Sequence, residues 1–182
     1  MPKVLKLSDA SRDCPRRGLS RDKFKYRSGD SPEMLRKAKI KDIKRIQELI
    51  CFFAEQDIML PRSLNELYEN IRDFWVYEDK GKVFGCAALH ISWDDLAEVK
   101  SLAVAKNKQG KGIGTDLVLT CLAEAQVVGA KKIFVLTYKP GFFKKLGFKK
   151  IKHESLPHKI WAECINCCKF PNCQEIALLK VL

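Results

Sequence analysis

The stretch that most constrains the fold of this chain runs from residue 98 to residue 129. A β-prone segment, 98–104, leads to the glycine-rich turn Gln109-Gly110-Lys111-Gly112-Ile113-Gly114, which opens an amphipathic helix over 112–128 with Gly129 at its C′ position. A strand, a glycine-rich turn and a helix N-terminus in this order make an anion site: glycines let backbone N–H groups converge, and the helix dipole favours a phosphate there. The pattern differs from the dinucleotide fingerprint, which needs Gly-x-Gly-x-x-Gly near the first strand, and from a P-loop, which ends Gly-Lys-Ser/Thr. Taken by itself it is also compatible with a tight turn that holds no ligand.

The flanking segments alternate between strand and helix. Residues 35–40 read as a strand, and Asp42 as the N-cap of a helix whose apolar positions Ile43, Ile46, Leu49, Ile50 and Phe53 share one face. Ser63-Leu64-Asn65-Glu66 is a capping-box pattern that predicts a second, short helix ending near Ile71. Segments 74–78 and 83–90 flank Asp79-Lys80-Gly81, a hairpin signal. A β-prone run at 133–138, a short helix at 141–146 and closing strands at 149–153 and 175–181 complete the pattern. It predicts an α/β (α+β) fold, a mixed, mostly antiparallel sheet flanked by helices, over a domain of residues 34–182. Residues 1–33 hold nine Lys/Arg and five Asp/Glu with almost no apolar periodicity. They read as a poorly packed basic leader, or as the product of a mis-assigned start.

Composition narrows the class. A chain of 182 residues has room for one sizeable core, since domains usually run to about 100–200 residues. No apolar run approaches the ~18 residues of a membrane helix, and no apolar stretch follows the basic N-terminus as in a secretory signal. The expectation is a cytoplasmic protein with no membrane partner. The net charge of +12, of which the leader contributes +4, suggests anionic partners. Without export, the eight cysteines are expected to be reduced. Cys51, Cys86 and Cys121 lie in apolar segments and read as small core residues. Cys164, Cys167, Cys168 and Cys173 form a separate cluster. Cys164, Cys167 and Cys173 with His153 or His158 could complete a zinc site, whereas the adjacent Cys167 and Cys168 favour structural or redox-active thiols.

The motifs carry a resemblance. Gln109-x-x-Gly112-x-Gly114, preceded by Ser101-Leu102-Ala103-Val104, resembles the Gln/Arg-x-x-Gly-x-Gly/Ala motif of the GCN5-related N-acetyltransferases, and Phe143-Lys144-Lys145-Leu146-Gly147-Phe148 resembles that family's later aromatic segment. Within the family, residues 97–104, 134–138, 156–161 and the segment from Cys164 to Leu178 together resemble the short, stand-alone N-acetylglutamate synthases of bacterial arginine biosynthesis. The long synthases carry an amino-acid-kinase-like domain for which 182 residues leave no room.

The resemblance implies roles. Acetyl-CoA would place its pyrophosphate over Gly110, Gly112, Ile113 and Gly114 beside Lys111 and Gln109, its pantetheine along Leu102, Ala103 and Val104, and an aromatic wall at Phe143. Glu98 is the candidate base, acting through a water; the alternative is a surface carboxylate paired with a lysine. Strand alternation groups Glu98, Lys100 and Leu102 on one face and Val99, Ser101 and Ala103 on the other. Phe143 stands where many relatives have a tyrosine acid, so Thr137 and Tyr138 are the candidate hydroxyl donors; backbone support and packing are their alternative roles. A dicarboxylate acceptor needs cations, and Arg62, then Lys100, then Arg36 are the candidates.

Three readings follow. The first is acetyl transfer from acetyl-CoA to the α-amino group of an amino acid, L-glutamate foremost, as the first step of arginine biosynthesis. The second is acetyl transfer to another amine, such as a peptide, glutamine or a small molecule. The third is a basic nucleic-acid-binding module, against which stands the lack of interleaved aromatics or a helix-turn-helix pattern. A homodimer is allowed but not required by the sequence.

Overall fold

The computed structural model describes residues 34–157, 169 and 172–182. Among the described residues seven strands, β1 (Leu35–Lys37), β2 (Phe74–Asp79), β3 (Lys82–Trp93), β4 (Leu96–Val104), β5 (Lys132–Thr137), β6 (Lys149–Lys150) and β7 (Ile176–Val181), form one sheet in the order β1-β2-β3-β4-β5-β7-β6. Only β4 and β5 run parallel; the other neighbours are antiparallel. The α-helices among the described residues are α1 (Ile43–Ala54), α2 (Leu64–Glu69), α3 (Ile113–Val127) and α4 (Pro140–Lys145). The mixed, mostly antiparallel α/β architecture expected from the sequence is the one the chain adopts.

Each helix buries the face its spacing implies. Ile43, Ile46, Leu49, Ile50 and Phe53 of α1 pack on Val76, Cys86, Ala88 and Ala103 from one side of the sheet. Leu117, Val118 and Cys121 of α3 pack on Ala87, Leu89, Ala97 and Val99 from the other. Burying an Ile, Leu or Val side chain stabilises by about 1.5–3 kcal/mol, so these two layers hold the sheet between them. At the β2–β3 hairpin, Asp79 and Lys82 are paired, and Lys80 and Gly81 take positive φ values of 50° and 75°. That is the two-residue turn whose twist matches the strands. Ser63 caps α2 by accepting the Glu66 N–H at 3.2 Å.

Three predicted boundaries move. The strand expected over 35–40 ends at Lys37, and a 3-10 turn, Ile40–Asp42, follows. Asp42 holds the N-cap position of α1, as expected, but its side chain makes no capping hydrogen bond to the helix. Its carboxylate instead accepts the Lys39 N–H at 2.7 Å and the Arg36 guanidinium at 2.6 and 3.1 Å, drawing the chain into that turn. The second helix stops at Glu69, where Asn70 donates through both its backbone and its side chain to the Glu66 carbonyl. The strand expected over 149–153 is the two-residue edge strand β6, with a 3-10 turn at His153–Ser155 beyond it.

The departure that matters most lies in β4. Ala88 is opposite Lys100 but Cys86 is opposite Ala103, so two steps along β3 match three along β4. The extra residue makes a bulge, and Ser101 within it has a φ of 55°. The bulge reverses the alternation expected from the sequence. Ala97 and Val99 face α3, and beyond the bulge Leu102 and Val104 join them there, while Ala103 turns to the α1 side. Leu102 therefore does not share a face with Glu98 and Lys100.

Candidate active site

The parallel β4–β5 ladder is short: Leu96, Ala97 and Glu98 pair with Lys132, Ile133 and Phe134. Beyond Glu98 the strands part. Lys100 to Val104 on one side and Leu136, Thr137 and Tyr138 on the other line a cleft of about 940 Å³. Gln109, Gly110, Gly112, Ile113 and Gly114 close one end, Phe142 and Phe143 of α4 form a wall, and Ile58, Met59, Leu60 and Arg62 come in from the α1–α2 connection. The sequence-predicted residues that meet in the cleft are thus Arg62, Lys100, Leu102, Ala103, Val104, Gln109, Gly110, Gly112, Ile113, Gly114, Thr137, Tyr138 and Phe143.

The glycine-rich end has the backbone for an anion. Gly110 and Gly112 take φ values of 74° and 85°, which only glycine adopts without strain. Gly112 is the N-cap of α3 and supplies no side-chain hydrogen bond to it, so the positive end of the helix meets the cleft without a capping group of its own. Gln109 donates from Nε2 to the Val104 carbonyl at 2.9 Å, tying the turn to the end of β4. Lys106 and Lys108 add charge along the lining, Lys108 in an ion pair with Asp79 at 2.6 Å. Lys111 is exposed and lies outside the lining. These residues fit a phosphate-rich cosubstrate.

The middle of the cleft holds the candidate proton donors. Thr137 Oγ1 accepts the Lys139 N–H at 3.0 Å, which fixes the oxygen at the end of β5. Tyr138 is half-buried beside it. Phe143 is buried, with Phe142 and Phe148 edge-on to its ring at 5.0 and 5.6 Å, and it has no proton to give.

Glu98 is buried at the last β4–β5 pair, just before the strands separate, with Lys100 Nζ 3.8 Å from its Oε2. It is not among the lining residues of the cleft, whereas its neighbours Val99 and Lys100 are. Glu175, which sequence reasoning passed over, does line the cleft. Burial pushes its carboxyl above the ordinary range, against the opposing pull of Arg62 and His153. Its sequence signals were its place in the resembling segment from Cys164 to Leu178 and an acidic residue at the mouth of a closing strand.

Of the three candidate cations, Arg62 and Lys100 line the cleft and Arg36 does not. Arg36 belongs to β1, separated from β4 by β2 and β3. It binds Asp42 and Glu78, which make it a brace between β1, β2 and the turn before α1. Arg62 pairs with Glu66 one helical turn on.

Cys86 and Cys121 are fully buried, and burial pushes both thiols up to about 12. Cys51 is half-buried. Cys173 is exposed, with Sγ 3.9 Å from Glu175 Oε2. Cys164, Cys167, Cys168 and His158, like the leader 1–33, lie outside the described residues. Among the described residues no three His, Cys, Asp or Glu side chains gather to hold a metal, and no helix is long and apolar enough to cross a membrane.

Residues 70–150 match the acetyltransferase (GNAT) domain model. The chain is 43% identical over 148 residues to an uncharacterized N-acetyltransferase of Chlorobaculum tepidum, covering 81% of this chain and 96% of that one. It is 35% identical over 140 residues to the amino-acid acetyltransferase of Mycobacterium tuberculosis, covering 75% and 80%. The structure is similar to N-acetylglutamate synthase from Neisseria gonorrhoeae, complexed with coenzyme A and N-acetyl-glutamate, with a TM-score of 0.75 and 29% identity over 81% of this chain and 34% of that one. The parted parallel strands, the glycine-capped helix between them and these likenesses lead to one assignment: the chain belongs to the GNAT family and is an acetyltransferase.

Proposed function

We propose that this protein moves the acetyl group of acetyl-CoA to the α-amino group of an amino acid, with L-glutamate as the acceptor, the opening reaction of arginine biosynthesis. The observation that carries the proposal is that Arg62 and Lys100 line the same cleft as the parted strands. Two cations beside the site of acetyl transfer suit an acceptor with carboxylates, and a guanidinium can hold one in bidentate fashion. The amino-acid acetyltransferase among the relatives and the N-acetyl-glutamate held by the Neisseria synthase support the same reading.

In this reading the pyrophosphate lies over the backbone N–H groups of Gly110, Gly112, Ile113 and Gly114, with Lys111 adding charge from the rim. The pantetheine takes the place that β5 vacates and pairs with the backbone of Leu102 to Val104, as an added strand. The acceptor ammonium loses a proton to Glu98 through a water. The amine nitrogen then attacks the thioester carbonyl carbon, and a main-chain donor of β4 stabilises the oxyanion. The C–N bond forms and the C–S bond breaks; the second proton of the attacking nitrogen passes to the hydroxyl oxygen of Tyr138 or Thr137 as that hydroxyl gives its own proton to the departing thiolate. Because Thr137 Oγ1 already accepts a backbone N–H, its own hydroxyl hydrogen is the part left to donate. Arg62 exchanges its Glu66 partner for the acceptor carboxylate.

The test follows CoA release with a panel of amino acids, polyamines and peptides. Glutamate, or its close analogue glutamine, is expected to be the best acceptor. Glu98→Gln is expected to lower kcat by about 100-fold or more, as loss of a general base does, with the KM for acetyl-CoA unchanged. Equal CoA release without any acceptor, or wild-type turnover in Glu98→Gln, defeats the proposal.

A further inference from the structure

Among the described residues that line the cleft, Glu175 is the one carboxylate. It directly precedes β7, whose first residue, Ile176, pairs with Thr137. Glu175 thus falls one position beyond the ladder, alongside Tyr138, on the β5 side of the gap. It is half-buried, and among the described residues its hydrogen-bond partner is the Cys173 thiol, 3.9 Å away. A thiol is a weak donor, so this carboxylate gives up hydration for little in return. Among the described residues the basic groups around it are Arg62, which shares the cleft lining, and His153 of the turn after β6.

A carboxylate that faces into a cleft, beside the hydroxyls of β5 and with a guanidinium in the same lining, forms one half of a receptor for a zwitterion. We propose that Glu175 receives the α-ammonium of the acceptor while Arg62 takes a carboxylate of the same molecule. This rests on the amino-acid reading above and deepens it. Arg62 and Lys100 alone would hold a dicarboxylate whether or not it carried an amine. Glu175 makes the ammonium part of recognition and brings the nitrogen beside the end of β5 before it is deprotonated. An amine without a carboxylate loses the Arg62 contact, and a carboxylate without an amine faces Glu175 with like charge.

The experiment measures two constants on the full chain: the KM for the amino acid that the wild type acetylates best, and the inhibition constant of its deamino analogue. For glutamate the analogue is glutarate; for glutamine it is glutaramate. In Glu175→Gln the KM for the amino acid is expected to rise about tenfold, the change for one charge-assisted contact, with the effect falling on KM more than on kcat. The inhibition constant of the deamino analogue is expected to stay the same or to fall, because a repelling charge has gone. Glu175→Asp keeps the charge with a shorter reach and is expected to give a KM between the two. An unmoved KM in Glu175→Gln, or an inhibition constant that rises in step with it, overturns the assignment, since a carboxylate that merely supports the cleft would weaken both ligands together. A wild-type protein that acetylates no amino acid brings down the amino-acid reading itself, a result distinct from either.

Discussion

Arg36 and Arg62 carry the same charge, and nothing in their immediate sequence ranks one above the other as a ligand for a substrate. Their surroundings separate them. The Arg36 guanidinium lies between Asp42 and Glu78, whereas Arg62 reaches the cleft. Asp42 is only 5% exposed, and removing Arg36 leaves that carboxylate buried without its cation. Arg36→Met is therefore expected to destabilise the fold by about 1–2 kcal/mol, the lower part of the range because Arg36 itself is partly solvated, while leaving kcat/KM unchanged; thermal melting and a turnover assay check both halves. Burial pushes the Asp42 carboxyl up, but hydrogen bonds from Arg36 and the Lys39 backbone outweigh it and hold the group below its usual range. A lowered folded pKa means stability that is fully present above about pH 4, the ordinary aspartate value, and is lost as the pH falls through the lowered one. The Arg36→Met protein is expected to lose part of that acid-limb dependence. Glu175 illustrates the opposite failing of a one-dimensional reading: its neighbours along the chain say little, and its place beside Tyr138 exists only once β7 pairs with β5.

Elements announce themselves by period, and the bulge in β4 has none. The five apolar positions of α1, the Ser63 cap of α2, the hairpin at Lys80-Gly81 and Gly112 at the head of α3 were legible because each is a local pattern with a local cause. Ser101 has no such signature, since a serine at positive φ looks in sequence like any residue of a strand. It nonetheless decides which side chains of β4 face α3 and turns Leu102 and Val104 toward that layer. A β-branched residue is strained there, so Ser101→Val is expected to cost about 1–3 kcal/mol and to raise the KM for acetyl-CoA, whereas Ser101→Gly, with no Cβ to clash, is expected to stay within about 1 kcal/mol of wild type. Denaturant unfolding and acetyl-CoA titration of the two variants distinguish the cases. Equal effects from valine and glycine would show that the bulge does not depend on backbone conformation at this residue.

On the scale of the molecule, the sheet is held between α1 and α3, and the cleft opens where two of its central strands part. The net charge of +12 meets this architecture at Lys106 and Lys108, which line the cleft, and at Lys111 on its rim. Attraction of a polyanionic cosubstrate to such exposed lysines is screened by salt. The KM for acetyl-CoA is expected to rise severalfold between about 0.1 M and about 1 M salt, as the Debye length shrinks from about 10 to about 3 Å; a KM flat across that range would assign its binding to the backbone alone. The gap between β4 and β5 has one more consequence. Beyond Glu98 the edge of β4 that faces β5 is left without a strand partner, and in the proposed binding mode the pantetheine takes that place, so that the cosubstrate would complete the sheet as well as react in it. A ligand present at about 100 times its dissociation constant adds about 2.7 kcal/mol of stability, a large share of what holds a domain of this size together. On that reading the lifetime of the protein in a cell is expected to follow the acetyl-CoA supply, a link that thermal melting against acetyl-CoA concentration checks.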